Sequence, residues 1–200
     1  MRKEKNTKPS AKITRNRYVF AALFAALIAV SSFFIIPLPG GIPIVLKNLF
    51  VVLSGTVLGS FYGGLAALIF LAAGMIGIPV FVIPGGPGAF FTPLGGYLAG
   101  YFVASLTAGL ICGLPKISEK KPRPVLIIRL GIASLAGFAL ILLPGALYLT
   151  LLNSMPLKAA LLAGAAPFIP GDLFKFAISV PLGLKLRPIA ARYINPEGSP

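Results

Sequence analysis

Histidine is absent from this chain, and cysteine occurs only once, as Cys112. Histidine and cysteine supply the usual zinc ligands, and histidine is the base of the common serine and cysteine nucleophile systems. A single cysteine also cannot form a disulfide within the chain. The sequence therefore excludes a zinc site of the usual kind, those two classes of enzyme and an internal disulfide, and Cys112 is predicted to be a small buried apolar residue.

Acidic residues are also scarce, since only four occur among 200 residues. Three of them lie in polar tails or in a charged loop: Glu4, Glu119 and Glu197. Asp172 is therefore the only carboxylate inside an apolar segment, where an ionisable residue is costly and is a candidate functional group. Lys175 lies three residues further on, so the two side chains share a helix face and are predicted to form an ion pair.

Apolar and basic residues dominate what is present. Hydrophobic residues make up 57% of the chain and charged residues only 11%, a composition typical of a polytopic membrane protein. The net charge of +14 comes largely from basic clusters that flank apolar runs, at 2–17, 116–129 and 185–192. No aromatic interleaving or nucleic-acid motif accompanies these clusters, so they indicate membrane topology and contact with anionic lipid, not with nucleic acid.

Apolar runs separated by Pro, Gly or charged residues predict six membrane spans. The predicted spans are 18–36, 44–58, 61–78, 94–114, 125–152 and 171–187, with a further turn or short helix between Asn153 and Ile169. Four spans separate the first basic cluster from the second, and two more separate the second from the third, so all three clusters fall on one side. We predict an all-α protein of six transmembrane helices with both termini in the cytoplasm. It has a basic tail over 1–17, a membrane domain over 18–187 and a C-terminal tail over 188–200.

Three loops on the predicted outer side are apolar and rich in Pro and Gly, at 37–43, 79–93 and 153–170. Non-helical backbone at this depth is tolerated where it packs in protein or lines a cavity. Polar residues of separate spans adjoin these loops: Lys47 and Asn48, Gly95-Gly96-Tyr97, and Asp172 with Lys175. The pattern predicts an outward-facing pocket with apolar walls and a few polar groups.

An intramembrane enzyme is the alternative from another class, and the residues argue against it. Ser54 and Ser105 have no visible base, no second membrane carboxylate accompanies Asp172, and no metal or cofactor site is predicted. A helical scaffold without a ligand would leave the Asp172 and Lys175 pair and the apolar outer loops unexplained. The chain also has no phosphate-binding loop of the Gly-x-x-x-x-Gly-Lys-Ser/Thr type.

Five motifs occur in order between the first span and the last. They are Ile42-Pro43-Ile44, Ile78-Pro79-Val80-Phe81, Gly-Gly-x-Gly at 85–88, Pro93-Leu94-Gly95-Gly96-Tyr97, and Pro167-Phe168-Ile169-Pro170-Gly171-Asp172-x-x-Lys175. This order resembles the BioY family, the biotin-binding S-components of energy-coupling-factor (ECF) transporters. The resemblance implies a six-helix fold with an extracytoplasmic biotin site in the plasma membrane of a prokaryote. It also implies a transmembrane T-component and two cytoplasmic ATPases as partners.

Alanines recur on the first span at four-residue spacing: Ala21, Ala25 and Ala29, with Ala22 and Ala26 beside them. Small residues at this spacing allow another helix to approach closely. From the residues alone, packing inside the chain and docking of an external helix are about equally good explanations. The resemblance implies the second, with this face docking the T-component.

In the site that the resemblance implies, we predict that Asp172 accepts hydrogen bonds from the ureido N–H groups of biotin. Lys175 would neutralise Asp172 and donate to the ureido oxygen, although a purely structural pair that caps the helix is the alternative. Lys47 would meet the ligand carboxylate or extend to outer headgroups, and Asn48 would orient the ligand or bond across helices. Tyr97 would contact the thiophane ring or belong to an interfacial aromatic belt. The remaining predicted ligand contacts lie in the second outer loop: Phe81, Gly85 and Gly86.

Two stretches of the predicted pocket depart from the family pattern. The chain has Val45-Leu46-Lys47-Asn48 where a Thr-Leu-Gln-like run is common, and Thr92-Pro93-Leu94 precedes Gly95 where Gly-Pro-Thr is usual. These departures keep a second ligand open at this point, namely another small carboxylate such as lipoate.

Overall fold

The computed structural model describes residues 11–37, 43–81, 85–120 and 124–196. Within these ranges the α-helices are α1 (Ala11–Ser31), α2 (Lys47–Leu58), α3 (Ser60–Met75), α4 (Gly95–Cys112), α5 (Pro124–Asn153), α6 (Leu157–Gly164) and α7 (Ile169–Ile194). Short 3-10 helices lie at Pro87–Phe91, Ile117–Lys120 and Ala166–Phe168. The all-α membrane fold is confirmed: six of these helices correspond to the predicted spans, and α6 is the short helix expected before the last span.

The helices differ in length. Four stretches are long and apolar enough to cross a membrane, namely 11–31, 95–112, 124–153 and the α6–α7 stretch 157–194. The helices α2 and α3 are shorter apolar helices of 12 and 16 residues. Short spans of this kind fit a tilted arrangement or local thinning of the bilayer.

A small antiparallel sheet replaces the end of the predicted first span and the start of the second. The strand β1 (Ile35–Pro37) pairs with β2 (Pro43–Val45), and Ile36 lies opposite Ile44. Isoleucine and valine favour extended backbone, and a residue before proline is pushed out of the helical region. The β1–β2 hairpin therefore follows from local chemistry that a search for apolar spans does not detect.

Helical structure also extends further into the two predicted tails than the sequence indicated, because α1 begins at Ala11 and α7 ends at Ile194. Side chains of α1 bind the carbonyl groups at the end of α7. The Nε of Arg17 donates to the Ile194 carbonyl at 2.7 Å, and Nδ2 of Asn16 donates to the Tyr193 carbonyl at 3.2 Å. Since the last carbonyls of a helix have no partner within it, these contacts stabilise the extension.

Glycines allow the central helices to pack backbone against backbone. A side-chain carbon on Gly55 of α2 would overlap the Ser105 carbonyl of α4, and one on Gly63 of α3 would overlap the backbone of Gly55. A carbon on Gly100 of α4 would likewise meet the Leu140 carbonyl of α5. Close approach of this kind drives helix association in lipid, where apolar surface alone gives little preference. The helix α2 is consequently buried along nearly its whole length.

Candidate functional site

Four buried polar side chains lie at the same end of the bundle, near the β1–β2 hairpin. Lys47 and Asn48 begin α2, and Asp172 and Lys175 lie in the first two turns of α7. All four residues are buried, with at most 8% of any one of them exposed. We call these four residues the polar centre. The sequence predicted each of them as a site residue because each is polar within an apolar run.

Lys175 connects α7 to two other elements. Its ammonium forms the predicted ion pair with Asp172 and also donates a hydrogen bond to the Val45 carbonyl at 3.3 Å, at the end of β2. The same nitrogen lies 5.8 Å from the ring centroid of Phe138 on α5, within the range of a cation–π contact. Lys175 therefore holds the hairpin against the helix that carries the carboxylate.

Asp172 has unused hydrogen-bonding capacity. The ammonium of Lys175 and the side-chain amide of Asn48 are its two hydrogen-bonding partners among the residues that the structure describes. A carboxylate has about four acceptor positions, so two partners leave room for further N–H donors. Its place in the first turns of α7 also favours a negative charge, because the N-terminal end of a helix dipole is positive.

Lys47 is a buried cation without a carboxylate partner in the described part of the chain, where the ion pairs are Lys175–Asp172 and Arg187–Glu119. Its ammonium lies 5.2 Å from the ring centroid of Tyr101. Only 6% of Lys47 is exposed, whereas contact with lipid headgroups would need an exposed ammonium. A buried cation is costly unless it is paired, and in this position the Lys47 ammonium does not extend to headgroups.

Tyr101 is a site residue that the sequence analysis missed. It is 4% exposed and supports Lys47 with one face of its ring. A row of aromatic contacts stands behind it: Phe70 lies 6.2 Å from Tyr101 between ring centroids, and Phe81 lies 5.4 Å from Phe70. The sequence did indicate Tyr101 in one way. It follows Tyr97 by four residues, so the two side chains share a face of α4.

Phe81, a predicted ligand contact, packs in the hydrophobic core. It is 5% exposed, and its ring packs so closely on Gly74 that a side chain at Gly74 would overlap it. The Phe81 ring has this space because Gly74 has no side chain, and their contact is visible only in the tertiary structure. Phe81 is connected to Lys47 of the polar centre through the rings of Phe70 and Tyr101.

Gly85 and Gly86 pack against the end of α3. The N–H of Gly86 donates to the Gly74 carbonyl at 2.7 Å, and a side chain on Gly85 would press on the same carbonyl. Gly86 has a φ of +99°, a backbone conformation that glycine adopts without strain. These two residues therefore shape the turn that precedes the 3-10 helix at Pro87–Phe91.

Tyr97 joins three helices. Its hydroxyl donates to the Gly164 carbonyl at the end of α6, and its ring fills the space above Gly145 of α5. The ring centroid of Phe168 lies 6.3 Å away. The hydroxyl proton is therefore engaged within the protein, and Tyr97 connects α6 to α4 and α5.

An open apolar cavity of about 490 Å³ lies between α5, α6 and the start of α7, and Asp172 is the residue of the polar centre that lines it. Its rim is exposed, because Leu135, Leu162 and Leu173 are each more than half accessible. Asp172 and Phe138 line it together with apolar side chains that include Leu142, Leu161 and Phe176. Its volume falls within the range of about 300 to 1,000 Å³ that is usual for small-molecule sites. A carboxylate at the wall of an apolar cavity can orient a small ligand that offers N–H groups.

The alanines of α1 divide between two faces. Ala21 and Ala25 are buried within the bundle and Ala29 is half-buried, whereas Ala22 and Ala26 are exposed. Internal packing uses Ala21 and Ala25, while Ala22 and Ala26 remain available to an external helix.

Known proteins are similar in sequence to this chain over most of their length. A model of the BioY family matches residues 3–192. The biotin transporter BioY of Rhodobacter capsulatus is 40% identical over 179 residues, which cover 84% of this chain and 90% of that protein. The biotin transporter BioY of Thermotoga maritima is 33% identical over 168 residues, which cover 84% of this chain and 93% of that protein.

A solved structure shows the same architecture. The crystal structure of the S-component for biotin from an ECF-type ABC transporter matches this chain with a TM-score of 0.75 and 27% sequence identity. The match covers 90% of this chain and 95% of the other. The fold is therefore shared with that protein over nine-tenths of this chain.

Proposed function

The chain belongs to the BioY family, and from that membership we propose that it is the biotin-binding S-component of an ECF-type importer. Members of this family are membrane transport proteins and not enzymes. The chain would capture biotin from outside, in the plasma membrane of a prokaryote. It would deliver the vitamin with a transmembrane T-component and two cytoplasmic ATPases, since its own sequence has no phosphate-binding loop.

The observation that carries the proposal is the open carboxylate of Asp172. Biotin presents its ureido group as an edge with N–H donors, and a carboxylate has about four acceptor positions for such donors. The ion pair with Lys175 and the contact with the Asn48 amide use only part of this capacity. Asp172 is thus suited to accept the ureido N–H groups.

Lys175 would complete the recognition of the ureido group. An ammonium has three N–H donors, and in this structure two of its contacts go to Asp172 and to the Val45 carbonyl. One donor therefore remains for the ureido oxygen. Its positive charge also compensates the negative charge of Asp172, so that the carboxylate is not an isolated buried anion.

Lys47 would bind the ligand carboxylate at the other end of the molecule. The Tyr101 ring holds the ammonium of Lys47 without neutralising it, so an anion is still needed. Asn48, next to Asp172, would orient the ring system. The relatives and the solved structure carry names that specify biotin, so nothing favours lipoate as an alternative ligand.

The direct test is equilibrium binding of radiolabelled biotin to the purified full chain, with mass spectrometry of any small molecule that copurifies with it. We expect saturable biotin binding that unlabelled biotin displaces and that lipoate displaces poorly. Saturable binding of a different vitamin, with no displacement by biotin, would contradict the assigned ligand and leave the fold unaffected.

A further inference from the structure

Arg187 is the largest fully buried side chain of the described residues. From the sequence it was grouped with the basic residues that flank the last span. It lies on α7, 12 residues beyond Lys175, which corresponds to about 18 Å along a helix. Its relative exposure is 0%. The polar centre makes no use of it, so a buried guanidinium at the opposite end of α7 requires its own explanation.

All three guanidinium nitrogens of Arg187 are engaged. The side chain forms a two-point contact with Glu119, with Nε to Oε2 at 2.8 Å and Nη2 to Oε1 at 3.0 Å. Glu119 lies in the 3-10 helix Ile117–Lys120, within the loop between α4 and α5. This fork-to-fork geometry is the strong form of an ion pair, and it fixes the relative orientation of the two groups.

The same guanidinium binds the carbonyl groups at the ends of two further helices. Nη1 donates to Thr56 of α2 and to Gly113, while Nη2 donates to Cys112 and Leu114 at the end of α4. Terminal carbonyls carry the negative end of the helix dipole, so a cation is favoured there. One side chain of α7 thus joins α2, α4 and the α4–α5 loop. We call Arg187, Glu119 and these carbonyls the Arg187 cluster.

Stability alone is a weak reason for a cluster of this kind, because apolar side chains of similar volume are often at least as stabilising as a buried ion pair. What apolar packing cannot supply is a directional connection between the loop and one helix. The helix concerned is the one that carries Asp172 and Lys175 at its other end.

We propose that Arg187 and Glu119 are positioning residues for transport, which hold the α4–α5 loop to the helix that carries the ligand pair. This inference rests on the proposed function, in which energy arrives from ATPases on the side opposite the ligand site. When the α4–α5 loop moves, α7 then moves with it as one rigid body. Without the Arg187 cluster, the loop and α7 move separately, so that ligand binding persists while uptake fails.

The test compares biotin binding with biotin uptake in the same variants. Glu119→Gln keeps the shape of the side chain and removes its charge, and Arg187→Lys keeps the charge and removes the fork. Lys116→Gln is the matched control, because it changes the charge of the same loop at an exposed residue outside the cluster. Cells of the native host that carry each full-length variant are assayed for uptake of radiolabelled biotin, and purified variants are assayed for equilibrium binding.

We expect uptake per molecule of membrane-inserted protein to fall roughly tenfold or more in Glu119→Gln and Arg187→Lys, the scale of a lost charge-assisted hydrogen bond. Biotin affinity should stay within about twofold of the wild type, and Lys116→Gln should resemble the wild type in both assays. Three results would overturn the inference: uptake that matches the wild type, uptake that falls only in proportion to protein abundance, or affinity that falls in parallel with uptake. Failure of the wild-type chain itself to bind biotin would instead refute the proposed function.

Discussion

Substitution of Asp172 by asparagine is the sharpest perturbation of the proposed site. The two side chains have nearly the same shape, so packing against Asn48 and the apolar cavity is preserved. The change removes the negative charge and replaces one acceptor oxygen by an NH2 group, which is a donor. The ureido edge of biotin, with its two N–H donors, then faces one acceptor oxygen and one NH2 donor.

The magnitude follows from the hydrogen bonds involved. A hydrogen bond to a charged group contributes about 1.5–3 kcal/mol, and one between neutral groups contributes about 1 kcal/mol. Replacing two of the first kind by one of the second lowers the binding free energy by roughly 2–5 kcal/mol. We therefore expect the Kd for biotin to rise by a factor of about 30 or more.

Loss of the carboxylate also leaves the Lys175 ammonium without its ion-pair partner, and breaking a buried pair costs about 3–5 kcal/mol of stability. A second variant separates this effect from the loss of binding. The double variant Asp172→Asn with Lys175→Met removes the orphan charge and should recover thermal stability while still failing to bind biotin. Recovery of binding in the double variant would show that Asp172 acts on the fold and not on the ligand.

The assay is equilibrium binding of radiolabelled biotin to the purified chain, with thermal unfolding of the same samples as the control for folding. Lys158→Gln is a suitable matched variant, because Lys158 is an exposed charge on α6 outside the polar centre. An Asp172→Asn protein that unfolds cooperatively and binds biotin within about threefold of the wild type would refute the assignment of the carboxylate to the ureido group.

Three further predictions concern other residues of the site and of α1. Lys47→Met should raise the Kd for biotin by about tenfold or more, from the loss of a charge-assisted contact. The same variant should change the Kd for biotin amide little, which competition binding measures; equal losses for both compounds would contradict contact with the ligand carboxylate. Tyr101→Leu removes the cation–π support of Lys47, worth about 0.5–2 kcal/mol, and equilibrium binding should show a Kd raised by about 2- to 30-fold. An unchanged Kd would rule out that support. The variants Ala22→Leu and Ala26→Leu should leave biotin binding intact and lower uptake, measured as above, because both residues are exposed and small residues permit close helix contact; normal uptake in both would exclude this face as the docking surface.

The sequence was informative wherever a residue departed from its apolar surroundings. Asp172, Lys175, Lys47 and Asn48 were identified because polar residues within a span are rare and costly, a local property that needs no knowledge of neighbouring helices. The number and order of the spans were readable for the same reason. The structure adds that these four residues form one buried centre, with the ammonium of Lys175 bound to the β1–β2 hairpin.

Arg187 shows where this reasoning stops. It lies among basic residues that flank the last span, so its sequence context resembles that of an ordinary topology signal. Its complete burial depends on Glu119 and on carbonyl groups of two other helices, all distant in the chain. Only the packing of these elements distinguishes a buried connecting residue from a residue that faces lipid headgroups.

The sequence by itself determined the class of the protein, its spans and the polar residues of the proposed site, because each of these is set by local hydropathy or by a short motif. The tertiary structure alone decided which face of each helix is internal: Ala21 and not Ala22, and Tyr101 beside Lys47. In a soluble protein the alternation of polar and apolar residues reveals the buried face of a helix. In a membrane the surface that faces lipid is as apolar as the core, so only the contacts between helices reveal the internal face.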